Sequence, residues 1–102
     1  MGEFVRVARD VEVGERSVRC VAARGVRVAL FRLDGELHAL DDECSHEWAS
    51  LSEGTLCGDE IECPLHAGRF EIRTGRATTN VAPNDLRRFR VRVVDGEIEI
   101  EV

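Results

Sequence analysis

Two short segments concentrate the side chains able to hold a metal: Cys44-Ser45-His46 and Cys63-Pro64-Leu65-His66, with sixteen residues between His46 and Cys63. Two thiolates and two imidazoles make a ligand set for zinc or for iron. Structural zinc modules usually place two like ligands about two to four residues apart, often with the His pair on a helix. Here Cys and His alternate within each half, and a single residue separates the first pair. That pattern suits a two-iron cluster with both cysteines on one iron and both histidines on the other. A structural zinc module is the competing reading.

Both segments must sit on loops, because the elements around them read as β-strands. Val26–Leu33 is rich in strand formers, and Asp34-Gly35 turns it back into Glu36–Leu40. Near the C-terminus, Phe89–Val93 alternates apolar and basic residues, and Ile98–Val102 alternates apolar and acidic ones. A two-residue turn at Asp95-Gly96 makes pairing partners sum to 191. Val93 then faces Ile98, Val91 faces Ile100 and Phe89 faces Val102 on one side, with Arg92–Glu99 and Arg90–Glu101 on the other. A register slip of one residue would carry the charges into the core. Shorter strands fit Phe4–Ala8, Ser17–Ala22, Glu60–Cys63 and Arg69–Arg73, with turns at Gly25, Gly58-Asp59 and Thr74-Gly75. A short helical turn is expected around Trp48–Ser52, and the stretch from Asn80 to Asp85, containing Pro83, reads as a loop. The expectation is all-β: an antiparallel sandwich or partly open barrel of roughly eight to ten strands.

The 102 residues suffice for one domain, 1–102, and 43% apolar with 33% charged residues is the balance of a folded globular protein. No run approaches the ~20 apolar residues of a membrane span. The first residues lack the basic-then-apolar pattern of a signal peptide, so a cytoplasmic protein is expected. A net charge of −6 argues against nucleic acid or an anionic membrane as partner. All 14 basic residues are Arg, and none lies between Leu33 and Gly68, where ten Asp or Glu residues fall. Disulfides are not expected of the four cysteines in a reducing compartment.

Taken with the residues around it, the stretch from Asp42 to Gly75 resembles the small Rieske ferredoxins of bacterial aromatic-ring-hydroxylating dioxygenase systems. The likeness is carried by Cys44-Ser45-His46-Glu47-Trp48-Ala49-Ser50-Leu51-Ser52-Glu53-Gly54 and Cys63-Pro64-Leu65-His66-Ala67-Gly68-Arg69-Phe70. The resemblance implies a Rieske-type antiparallel β-sandwich with a small cluster-binding subdomain, about 41–70, formed by two loops. It implies one [2Fe–2S] cluster, with Cys44 and Cys63 on one iron and His46 and His66 on the other through Nδ1, and Pro83 in a loop covering it. It further implies a one-electron carrier between a flavin-dependent NAD(P)H ferredoxin reductase and a terminal non-haem iron oxygenase. In the Rieske proteins of respiratory complexes two further cysteines form a disulfide and a Ser and a Tyr bond the cluster sulfurs. The matching positions here are Trp48 and Leu65, and Gly68 and Phe70, which places the chain with the ferredoxins. With neutral imidazoles, two ferric ions, two sulfides and two thiolates sum to zero, and one electron takes the site to −1. A four-cysteine cluster would go from −2 to −3, so histidine ligation raises the potential.

The remaining reactive residues have plainer readings. Cys20 and Cys57 are expected as small buried hydrophobes. His38, inside a strand with no Cys beside it, is expected to be structural. Trp48 suits either a partner contact or a shield over the cluster. Nothing in the chain reads as a catalytic base, nucleophile or substrate pocket, so it is not expected to be an enzyme by itself. A small subunit of another oxidoreductase, such as an assimilatory nitrite reductase, is the alternative carrier reading.

Overall fold

The computed structural model describes residues 2–42, 50–64, 68–79 and 85–102. Among these residues ten strands follow one another: β1 Phe4–Arg9, β2 Val18–Ala23, β3 Val26–Leu33, β4 Glu36–Asp41, β5 Thr55–Cys57, β6 Glu60–Glu62, β7 Arg69–Glu71, β8 Arg88–Phe89, β9 Val91–Val94 and β10 Glu97–Glu101. Short 3-10 turns occupy Asp10–Glu12 and Leu51–Glu53. The strands form three antiparallel sheets, ordered β1-β10-β9, β2-β3-β4-β8 and β5-β6-β7. No helix among the described residues is long and apolar enough to cross a membrane.

The four-stranded sheet is the middle layer, and β3 shows why. Val28 and Leu30 point into one apolar core with Ala8, Ile98 and Ile100 from the first sheet. Ala29, Phe31 and Leu33 point into a second core with Ile61, Cys63, Phe70 and Ile72 from the small sheet. A strand buried on both faces needs no polar alternation, so β3 reads as a continuous apolar run. At Asp34-Gly35 and Asp95-Gly96 both turn residues have positive φ (52° and 81°, 51° and 76°), the type I′ geometry that matches strand twist.

The C-terminal hairpin has the expected register, Val93↔Ile98, Arg92↔Glu99 and Val91↔Ile100. Two details differ. Val93 is 46% exposed, because β9 is the outer strand of a three-stranded sheet and its end projects past the core. Phe89 pairs with Ala39 of β4 instead of Val102, since the chain crosses from the middle sheet to the first sheet at Arg90. Thr55–Cys57 is a strand beyond those expected from sequence; three residues are too few for a periodic signal. The helical turn lies at Leu51–Glu53, and its expected start at Trp48 is outside the described residues. Cys20 is exposed, not buried, because β2 is an edge strand and its apolar positions Val21 and Ala23 face the other way. Cys57 is half-buried.

Candidate metal centre

Of the expected ligands, Cys63 is described; Cys44, His46 and His66 lie outside the described residues, as do Trp48, Leu65 and Pro83. Among the described residues no three Cys, His, Asp or Glu side chains gather as a metal site. What is described is the set of supports from which the ligand segments leave and to which they return.

The first support is Asp42. Its side chain is fully buried, and its two oxygens gather groups from both sides of segment 43–49. Oδ1 accepts the Ser52 N–H at 2.8 Å. Oδ2 accepts the Ser50 hydroxyl at 2.8 Å, the Arg27 guanidinium at 2.9 Å and the Cys20 thiol at 3.3 Å. The Leu51 N–H also donates to the Asp42 carbonyl at 2.7 Å, and the Asp42 N–H to the Arg27 carbonyl at 3.1 Å. The segment carrying Cys44 and His46 is thereby closed at its base by one carboxylate. Burial alone would push the Asp42 carboxyl up, but the hydrogen bonds from Ser50 and Ser52 outweigh it and hold the group below its ordinary value. The Cys20 thiol is pushed up, first by burial and then by Asp42, so it stays protonated and serves as a donor.

The second support is the β6–β7 ladder, Glu60↔Glu71, Ile61↔Phe70 and Glu62↔Arg69. It ends at Cys63, whose N–H donates to the Gly68 carbonyl at 2.7 Å, pinching off residues 64–67. Cys63 is 1% exposed and shares its core with Leu51, Ile61 and Phe70, and its sulfur has no hydrogen-bond partner among the described residues. The third support ties residues 78–79 to Arg69: the Thr78 N–H donates to the Arg69 carbonyl at 2.9 Å and the Arg69 N–H to Thr79 Oγ1 at 3.1 Å. On its far side Asp85 Oδ1 accepts the Ala77 N–H at 2.9 Å. Segment 80–84, with Pro83, springs from here.

The first two supports share one core through Leu51, Cys63 and Phe70. The turn Leu51–Glu53 lays Gly54 directly against the residue before Cys63: a Cβ on Gly54 would fall 2.1 Å from the Glu62 carbonyl oxygen. The fold therefore brings the bases of the two cysteine-histidine segments into contact through Leu51, Gly54, Glu62 and Cys63. A buried thiol with no partner among the described residues, on a core shared with the anchor of the other Cys-His segment, fits a ligand set of thiolates and imidazoles. Phe70 is fully buried and Gly68 has no side chain, so neither supplies a hydroxyl to the site.

The acidic stretch is less bare than its sequence suggests. Distant arginines return to it: Arg27 to Asp42, Arg69 to Glu62 at 3.2 Å, and Arg16 and Arg73 to Asp59 at 3.6 and 3.8 Å. Glu53 and Glu60 have no arginine in ion-pair range among the described residues.

Comparison with known proteins agrees with this arrangement. The family profile described as Rieske [2Fe–2S] domain matches residues 3–90. The chain is 37% identical over 91 residues to the ferredoxin component of the naphthalene 1,2-dioxygenase system of Pseudomonas aeruginosa, covering 89% of this chain and 88% of that protein. It is 45% identical over 94 residues to the ferredoxin component of the p-cumate 2,3-dioxygenase system of Pseudomonas putida, covering 91% and 79%. A chain in the solved complex of reduced oxygenase and oxidized ferredoxin of carbazole 1,9a-dioxygenase superposes with a TM-score of 0.87 at 35% identity, covering 96% of this chain and 92% of that one.

Proposed function

The chain belongs to the Rieske [2Fe–2S] domain family and its cofactor is one such cluster; from that premise we propose that it is the electron-carrying ferredoxin of an aromatic-ring dioxygenase system. It takes one electron from an NAD(P)H-dependent flavoprotein reductase and delivers it to a terminal oxygenase, performing no substrate chemistry of its own. The oxygenase as partner is supported by the solved ferredoxin–oxygenase complex of carbazole 1,9a-dioxygenase. The reductase follows from the need for a donor, and the cytoplasm is the compartment in which such a donor and reduced thiols coexist.

Cys44 and Cys63 hold one iron in this reading, and His46 and His66 the other. When bound, the cluster supplies reversible one-electron storage between net charges of zero and −1. The protein's part is positioning. Asp42 fixes the base of the first ligand segment, the Cys63–Gly68 hydrogen bond fixes the second, and the shared core around Leu51 and Phe70 keeps water from Cys63. Without hydroxyl donors at positions 68 and 70 the midpoint belongs near the low end of the roughly −150 to +300 mV Rieske range. The observation that carries the reading is the seating of Gly54 on Glu62, which joins the bases of the two motifs. Metal analysis tests it: two irons and two acid-labile sulfides per chain are expected. His46→Ala and His66→Ala should lose or destabilise the cluster while His38→Ala keeps it. Zinc without iron after iron-replete expression would overturn the reading.

A further inference from the structure

Arg87, Arg88 and Arg90 form an exposed basic ridge along the outer strand of the middle sheet, in a chain whose net charge is −6. Most arginines of this protein have a carboxylate to pair with, but among the described residues none lies in ion-pair range of Arg87 or Arg88. Arg87 instead lies over the Phe89 ring, 4.5 Å from its centroid. Arg90 is 81% exposed and among the described residues reaches only Glu101, at 3.7 Å.

Two clefts flank the ridge and share Arg88, Phe89 and Arg90 as their common wall. One, of about 470 Å³, opens against Glu36–His38. It exists because β8 pairs only with Ala39 and Leu40 before the chain leaves for the other sheet, so among the described residues no strand pairs with β4 on that side at Glu36–His38. The other, of about 340 Å³, opens against Gly2 and Val102. Within the first cleft's lining, His38 is 8% exposed with both ring nitrogens buried and without a hydrogen-bond partner. Its one neighbouring carboxylate in the lining, Glu36, is already engaged by Arg73 at 3.1 Å.

We propose that this ridge and its two clefts are a docking groove for an extended acidic segment of a partner protein. Three cations spread over residues 87–90 span about 10 Å of strand, which matches alternate carboxylates of an extended chain better than one small anion. β8 has no second strand partner among the described residues, and the Arg90 carbonyl that follows it already accepts the Glu101 N–H at 2.9 Å, so recognition rests on the side-chain charges. A nucleic acid is disfavoured, because the net charge of −6 repels a long polyanion.

The position of the ridge gives it a use. The Asp41 N–H donates to the Arg87 carbonyl at 2.9 Å, one residue from the Asp42 base of the first ligand segment. The groove thus starts beside the strand end that leads into the first candidate ligand segment. A redox partner that approaches on the Asp42 side meets the basic ridge beside it, and the ridge favours one orientation of the encounter. That the partner is a redox partner rests on the electron-carrier reading; the existence of the groove does not.

The test separates the two. A fluorescein-labelled hexaglutamate peptide is titrated against the holoprotein by anisotropy at about 0.01 M salt, where the Debye length is about 30 Å. Saturable binding that weakens with salt is expected. Arg88→Glu with Arg90→Glu should weaken it by about tenfold or more, while Arg6→Glu with Arg24→Glu, an equal charge change elsewhere, should weaken it much less. The visible spectrum and melting point check each variant's fold, and Arg88→Gln with Arg90→Gln replaces the reversal if that one does not fold. No saturable binding, or equal losses in both double variants, would overturn the proposal. So would displacement by inorganic phosphate beyond chloride of equal ionic strength, which marks a small-anion site, or equal affinity for an oligouridylate of the same charge. None of these outcomes touches the cluster or its electron-transfer role, which the metal analysis decides.

Discussion

Replacing Asp42 by Asn should loosen the base of the first ligand segment more than any other single isosteric change. The carboxylate is fully buried and receives four donors, three of them on Oδ2. Asn offers one acceptor oxygen and two N–H donors, so it must fail on one side. With its oxygen toward Ser50 and Arg27, the NH2 group confronts the Ser52 N–H; flipped, it confronts the hydroxyl, the guanidinium and the thiol. A lost hydrogen bond to a charged group costs about 1.5–3 kcal/mol. Arg27 is 52% exposed and regains water, which reduces its share. The Ser50 hydroxyl can rotate, so the net cost comes to roughly 2–4 kcal/mol. If the cluster leaves through opening at this base, the opening equilibrium rises by roughly 30- to 700-fold. The assay is the rate of visible bleaching in a chelator at neutral pH, compared between Asp42→Asn and the unaltered protein. Cys20→Ala, which removes one neutral donor at 3.3 Å, should cost no more than about 1 kcal/mol. A bleaching rate for Asp42→Asn within about threefold of the unaltered protein, equivalent to roughly 0.7 kcal/mol, would refute the role assigned to the carboxylate.

Gly54→Ala should lower the apparent melting midpoint by roughly 4–24 °C, because its Cβ would stand 2.1 Å from the Glu62 carbonyl although φ of −77° suits alanine. Gly25→Ala, where φ is +80° and nothing lies within 4 Å, should cost only about 1–2 kcal/mol of backbone strain. Burial, with the nearby charge of Arg73, pushes the His38 imidazole below its ordinary value of 6.5. The unfolded chain therefore binds the proton first, and stability falls as pH drops from about 6.5 toward the lower folded value. Denaturant titrations should show that decline in the unaltered protein and its loss in His38→Leu, with the two pH profiles parallel above neutrality. Reduction of cytochrome c, a basic one-electron acceptor, should slow as salt rises and slow further in Glu43→Arg with Glu47→Arg at low salt. A flat salt profile with unchanged rates would reduce the acidic stretch to a solvating surface.

How far the sequence reached depended on the range of the interaction concerned. The β9–β10 register was legible because period-2 alternation and an Asp-Gly turn are both local, and both specify the same pairing. The two Cys-His motifs stood out as candidate ligands for the same reason, since Cys-x-His and Cys-x-x-His are each contiguous in sequence. Burial of Val93 and Cys20 was not, because it depends on whether another layer covers that end of the strand. Thr55–Cys57 carried too few residues to show a period.

What only the tertiary structure decided was how distant groups meet. Cys20, Arg27, Ser50 and Ser52 come from β2, β3 and the segment after the loop, and nothing in their spacing marks them as partners of Asp42. The acidic stretch looked uncompensated because ion pairs form through space: Arg16, Arg27, Arg69 and Arg73 return to it only once the sheets are stacked. The basic ridge is likewise the product of an exit, the departure of the chain from β4 after Phe89, which leaves Arg87 and Arg88 with no carboxylate in ion-pair range among the described residues. Amino-acid type and short spacing determined which groups could bind iron and which strands could pair. Packing of three sheets determined which charges are neutralised, which carboxylate closes the ligand segment, and which surface is left for a partner, because those depend on contacts between residues far apart in the chain.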